Sequence, residues 1–460
     1  MEQSNTGNSL FKTKIGLIAA TLGSAVGLGS VWRFPAEAQQ NGGAAFLIVY
    51  LACVFLLGIP VMVAETALGR AGRSDAVGSY RRLAPHTSWW IGGALGVLAS
   101  YLIISFYMVV AGWTLEYLWD SITGSLYAGT SGEAASGMAA TFHDRMEDYI
   151  SSDINPLIAT FIMIGMNIAV LMFGVQKGIE RVSNILMPLL FLLLLIFVGY
   201  AFTLPGASDG LRYFFDPDFS KITWSVAGNA LGQAFFSLSL GIGILVTYAS
   251  YYPDSTNLTK TSTTVSMLTT LVAVMMGMII FPSVFTYGLD LGQLRGTTLV
   301  FVTLPEVFAQ MPGGQIWSIL FFLLLLVAAL TSTISLAEVS VLFVQERFGK
   351  SRAVATLIIM LPLFALCALC SLSFGSLDDW KIFGLTIFNF LDTFTTNYLL
   401  PVVALFSVLF AGWGAPAQML RDQITNHGTT SLTLYPILRF IIRYPAPVLI
   451  LIILLCNIFG

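Results

Sequence analysis

The sequence predicts an all-α protein that crosses a membrane many times, and three observations carry that prediction. Of the 460 residues, 56% are hydrophobic and only 10% are charged, where a soluble domain carries about 25% charged residues. The apolar residues come in blocks of roughly twenty, long enough for a helix to cross a ~30 Å hydrocarbon core. Glycine and hydroxyl clusters interrupt two of those blocks, "GSAVGLGS" and "SLSLGIGI".

Eleven spans follow in order: 15–37, 44–68, 91–119, 156–174, 182–204, 224–250, 264–288, 315–345, 353–374, 386–411 and 436–458. The polar start "MEQSNTGNSLFKTK" has no cleavage site after the first block, so the first helix is expected to stay. With the N-terminus inside, the inner loops hold Lys12, Lys14, Arg70, Arg73, Arg81, Arg82, Lys177, Arg181, Lys260, Arg347, Lys350, Arg352, Arg421, Arg439 and Arg443. The outer loops hold only Arg145, Arg212, Lys221, Arg295 and Lys381. That asymmetry predicts a cytoplasmic N-terminus and, with eleven spans, an external C-terminus. The long outer loop 120–155 reads as solvated surface.

The rest of the composition excludes other chemistry. Cys53, Cys367, Cys370 and Cys456 lie in apolar blocks and read as packing residues. His86, His143 and His427 fall in loops without metal-ligand spacing. A net charge of −3 and no basic tract leave no nucleic-acid partner, and no obligate protein partner is inferred.

The first interruption is Gly23–Ser30 and the second is Ser237–Ile244, each with a Gly-x-Gly (Gly27–Gly29, Gly241–Gly243) near mid-span. Each glycine costs a helix about 1 kcal/mol relative to alanine, and neighbouring serines offer competing hydrogen bonds. Unwound backbone at membrane depth persists only inside protein or along a cavity, where carbonyls can hold a cation and a half-helix N-terminus a carboxylate. A single such cluster reads more simply as close helix packing. Two of them, five spans apart, divide the chain into candidate halves (spans 1–5 and 6–10) with a transporter site between.

Charged residues within spans cost several kcal/mol unless paired or hydrated. Arg33 and Asp392 lie toward the outer side with opposite sign, while Glu65 and Glu338 lie in spans 2 and 8. Thr331, Ser332 and Ser335 cluster in span 8 and could complete an oxygen cage.

The segments "GSAVGLGSVWRFP" (23–35), "NGGAAFLIVY" (41–50), "GIPVMVAETALGR" (58–70), "QAFFSLSLGIGILVTYASY" (233–251) and "LTSTIS" (330–335) closely resemble the neurotransmitter:sodium symporters. The nearest branch is the bacterial amino-acid transporters typified by the leucine transporter. The resemblance runs from about residue 11 to 412. It implies the LeuT-type fold: two inverted five-helix repeats, 15–204 and 205–411, after a cytoplasmic segment 1–14, with 412–460 adding a loop and one extra helix. It also implies a sodium-coupled amino-acid symporter working by alternating access, not an enzyme.

Carried over by position, the resemblance implies a second sodium site built by Gly23, Val26, Ala328, Thr331 and Ser332. The substrate pocket would use Ala25, Gly27, Gly29 and Tyr107 for the carboxylate. Ile103, Phe236, Ser239, Ile242, Ser332 and Leu336 would surround the side chain. Arg33, Asp392 and Phe236 would gate the outside. Tyr251 and Glu346 belong to the inner gate, whose usual arginine is replaced by Asn8 and usual tryptophan by Phe11, with Lys12 or Lys14 as substitutes. The first sodium site, Ala25, Ser30, Ser237 and Thr269, departs from the family: hydroxyls replace two asparagines, and Ala273 stands where members carry a carboxylate or a chloride-binding serine.

This reading predicts a zwitterionic substrate with an apolar side chain, since Gly27 leaves room where monoamine carriers place an aspartate. It predicts sodium bound at the second site, with the first weakened. A non-transporting sensor on the same fold is the competing reading, and no appended soluble domain favours it. An intramembrane enzyme fares worse, because no histidine or metal constellation lies in the spans.

Overall fold

Thr13 starts the first helix by accepting a hydrogen bond from the Gly16 N–H, which satisfies one of the end groups a helix leaves open. Similar caps recur: Asp75 accepts from Val77 and Gly78, Thr223 from Val226, and Asn257 from Lys260. The computed structural model describes residues 10–128, 138–288, 296–429, 433 and 435–459. Asn8 and Arg295 lie outside them.

Among the described residues, nine helices are long and apolar enough to cross a membrane. They are Ala44–Gly72, Trp90–Thr123, Asn155–Met172, Val175–Ala201, Leu258–Tyr287, Gly314–Phe348, Arg352–Leu372, Ile387–Gly414 and Tyr435–Ile458. A tenth is the bent pair Lys14–Ala25 and Gly29–Gln40, whose axes meet at 56°. Where the sequence places the sixth span, two short helices, Trp224–Ser237 and Ile244–Ser250, flank a break. Neither is long enough to cross alone. Among the described residues, these nine continuous helices and two interrupted ones fit the eleven expected spans.

The third and eighth spans, Trp90–Thr123 and Gly314–Phe348, pack along one another and form the centre. The first span lies against the eighth and Ile244–Ser250 against the second, so both breaks are enclosed by protein. The ninth and eleventh spans are peripheral, with mostly uncovered apolar faces. Close approach depends on missing side chains at a few points: a Cβ at Gly69 would overlap the backbone of Val246. At one end of the second span, buried Arg70 gathers the chain. Its Nε donates to Gln423 Oε1 (2.6 Å), and its other nitrogens reach Thr256 O (2.5 Å), Gln423 O (2.5 Å) and Asn426 Oδ1 (3.0 Å).

Candidate functional site

The first helix ends at Ala25, and Val26 (φ −83°, ψ 89°) turns its carbonyl away from the helical direction before Gly29 resumes the turn. In the sixth span, residues between the helices take the left-handed region at Ser239 (φ 54°), Gly241 (φ 74°) and Gly243 (φ 78°). Glycine is the residue that adopts it without strain, and a Cβ at Gly241 would also overlap the Leu400 carbonyl. Three side chains satisfy the freed backbone. Ser239 Oγ donates to Ser24 O (2.8 Å), joining one break to the other. Glu65 Oε1, fully buried, accepts from Gly241 N (3.0 Å). Tyr107 Oη accepts from Leu28 N (2.7 Å).

Between the breaks lies a cavity of about 30 Å³. All ten residues named for the pocket from the sequence line it: Ala25, Gly27, Gly29, Ile103, Tyr107, Phe236, Ser239, Ile242, Ser332 and Leu336. Ser24, beside Ala25, and Ile244, two residues after Ile242, line it too. Ordinary van der Waals space is already used up around the glycines. A Cβ at Gly27 would strike the hydroxyls of Ser332 and Tyr107, and one at Gly29 the Phe236 ring. The lining holds hydroxyls and apolar groups but no charged side chain. A single water needs roughly 10–15 Å³ on this measure, so anything larger than a water or two enters only as side chains withdraw.

Beside the cavity, Ser332 Oγ donates to Gly23 O (3.2 Å), and Thr331 Oγ1 donates to Val327 O (3.0 Å) and Ala328 O (3.2 Å). Gly23 packs against the Thr331 side chain. Gly23, Ala328, Thr331 and Ser332 therefore meet at one contact between the first and eighth spans, with Val26 at the adjoining break. Carbonyl and hydroxyl oxygens suit a hard monovalent cation, which would replace these hydrogen bonds.

At the other candidate site, Ser237 and Gly29 are tied by a residue the sequence reading missed. Gln233 Nε2 donates to Gly29 O (2.9 Å) and Ser237 Oγ (3.0 Å). Its signal was a lone amide one helical turn before Ser237. Ser30 Oγ and Thr269 Oγ1 are buried without a hydrogen-bond partner, and Ala273 is fully buried.

The outer gate differs from expectation. Among the described residues Arg33 and Asp392 make no ion pair; Arg33 instead lies 3.8 Å from Glu37 and stacks over the Phe236 ring at 4.8 Å. Glu37 stands one turn along the same helix and captures the guanidinium locally, while Asp392 Oδ1 accepts from Thr396 Oγ1 (3.2 Å). Glu37 is itself held by Asn41 Nδ2 (3.1 Å), and Asn41 by Asn229 (2.8 Å) of the sixth span.

At the opposite end, Tyr251 Oη donates to Glu338 Oε1 (2.6 Å), and Arg352 binds the same carboxylate through both terminal nitrogens, one at 2.7 Å. The sequence exposed Glu338 as a buried acid but not this partner, because Arg352 read as a loop residue. Phe11 sits among Tyr248, Tyr251 and Tyr252, and its N–H donates to Tyr251 O (3.2 Å). Glu346 accepts from Ser74 Oγ and Asp75 N (3.0 Å). Burial pushes the Asp75 carboxyl up to about 6, the Glu346 charge adding to it against the N–H groups that Asp75 caps.

The sodium:neurotransmitter symporter family model matches residues 8–155 and 130–460. An uncharacterized sodium-dependent transporter of Bacillus subtilis, YhdH, is 36% identical over 448 residues, covering 97% of each chain. An uncharacterized sodium-dependent transporter of Haemophilus influenzae is 33% identical over the full length of both. Among solved structures, MhsT in complex with L-phenylalanine is 40% identical with a TM-score of 0.89, over 98% of this chain and 100% of the other.

Proposed function

This chain belongs to the sodium:neurotransmitter symporter family, and from that premise we propose that it carries an apolar amino acid into the cell on the sodium gradient. It is a multi-pass membrane transporter with the LeuT-type fold. The observation that carries the substrate reading is the cavity between the breaks, with glycines at 27 and 29 and no charged side chain in its lining. A zwitterion brings both charges itself. Its carboxylate finds the N–H groups at the start of the second half-helix, and Tyr107, which already accepts from Leu28, keeps its own proton to donate. Ile103, Phe236, Ile242 and Leu336 offer the side chain only apolar surface. The phenylalanine bound by MhsT supports the same class.

Sodium at Gly23, Val26, Ala328, Thr331 and Ser332 would tie the broken first span to the eighth, coupling ion binding to closure around substrate. The amide hydrogen that Gln233 places on Ser237 competes with a cation at the other site and supports its being the weaker one. The inner excess of Lys and Arg supports a cytoplasmic N-terminus.

Uptake of radiolabelled amino acids into proteoliposomes, with and without a sodium gradient, tests the proposal. Accumulation of aliphatic or aromatic amino acids should require sodium, and their decarboxylated amines should compete poorly. Equal binding of amine and parent amino acid would overturn the substrate assignment, and accumulation without sodium would overturn the coupling.

A further inference from the structure

We propose that Arg439 and Arg443, at the start of the eleventh span, bind the phosphate of an anionic phospholipid headgroup. The helix Tyr435–Arg443 sets Tyr435, Arg439 and Arg443 along one stripe at four-residue spacing, with Pro436, Phe440 and Tyr444 on the stripe beside it. The two stripes line a shallow, open surface groove. None of the ion pairs among the described residues involves either arginine. A cation near a span end reaches the interface, where lipid phosphates supply the opposite charge.

Arg443 is held ready for such a partner. Its Nε donates to Gly412 O (2.7 Å), its guanidinium stacks on Trp413 at 4.5 Å, and Trp413 Nε1 returns a hydrogen bond to Arg443 O (3.2 Å). That fixes the plane of the group and leaves its terminal nitrogens available. Arg439, one turn earlier, is half-buried. Residues four apart stand about 5–6 Å apart at Cβ, a separation at which two guanidinium groups can bracket one phosphate.

The surroundings select a lipid over a free anion. Ile437, Phe440, Tyr444, Val448 and Trp413 are exposed around the arginines, and acyl chains would cover them while the headgroup meets the charges. Tryptophan and tyrosine beside arginine at a span end is the composition of a membrane–water boundary.

The test uses the full-length transporter in detergent, titrated with phosphatidylglycerol or phosphatidylcholine and read by native mass spectrometry and thermal shift. Wild type should retain phosphatidylglycerol in preference to phosphatidylcholine. R439Q/R443Q should bind phosphatidylglycerol about thirty-fold more weakly, on the usual contribution of two basic residues near an anionic surface. R439K/R443K should keep most of the preference, and R212Q, in an outer loop, all of it. An unchanged preference in R439Q/R443Q would overturn the proposal. So would inorganic phosphate that stabilises wild type as well as phosphatidylglycerol does at equal concentration. If the double variant does not fold, each single glutamine variant is read by the same criterion.

Discussion

At Gly27 one added carbon would fill the space between the breaks. Because a Cβ there meets the Ser332 and Tyr107 hydroxyls, Gly27→Ala should cut substrate affinity at least tenfold while the protein still elutes as a folded monodisperse species; radioligand binding checks it. Thr331 and Ser332 hold carbonyls of two spans, so Thr331→Ala with Ser332→Ala should abolish sodium-dependent uptake and the thermal shift that sodium produces. The cost to the sodium-free protein should be about 1–3 kcal/mol, the penalty for buried acceptors left without a donor. Arg33 lies against Glu37, while Asp392 is held by Thr396. Asp392→Ala should impair transport more than initial sodium binding, whereas Glu37→Gln should free the guanidinium for Asp392 and slow substrate release to the outside. Uptake and washout rates separate the two, and normal transport by Asp392→Ala would reduce that residue to a structural role.

Among elements, the junction of the sixth, eighth and ninth spans depends on Glu338. The carboxylate is fully buried and bound by Arg352 and Tyr251. Removing one partner of a buried pair leaves an uncompensated charge, so Arg352→Gln should cost about 3–5 kcal/mol, read as a lowered thermal transition. On the same side, the short helix after the second span begins at Asp75, whose raised carboxyl pKa has a pH signature. Its contribution to stability is complete below the ordinary carboxylate range and is lost as pH rises through about 6. Asp75→Asn, which can still cap the helix, should flatten that part of the stability–pH curve. The spans themselves were legible, because a hydrocarbon core demands long apolar runs and glycine with serine marks where they break. The residues expected around a substrate came from the resemblance of short motifs at the two breaks and in the third and eighth spans, and those residues line one cavity. Pairings across distant segments were not legible. Arg33 prefers Glu37 to Asp392 because side-chain reach along one helix beats a contact between helices, and the bond from Gln233 to Gly29 O crosses between the two broken spans, which no local spacing announces.

Across the whole molecule, ion stoichiometry follows from how many oxygen cages survive. On the proposed reading, with Gln233 donating to Ser237 and no carboxylate or serine at Ala273, uptake should be independent of chloride and rise with a sodium Hill coefficient near one. A coefficient near two would mean that Ser30 and Thr269 hold an ion after all. The hydrogen bond from Ser239 to Ser24 carries a consequence for biosynthesis. It joins residues 215 apart in the chain, and ribosomes add roughly 5–20 residues per second. On the order of ten to forty seconds therefore separate the synthesis of Ser24 from that of the serine that caps its carbonyl. Lipid cannot satisfy that carbonyl, so the nascent first half must shelter in protein or water until its other half arrives. A chain truncated at residue 204 should be cleared by membrane proteases rather than accumulate, and pulse–chase labelling in cells would show it.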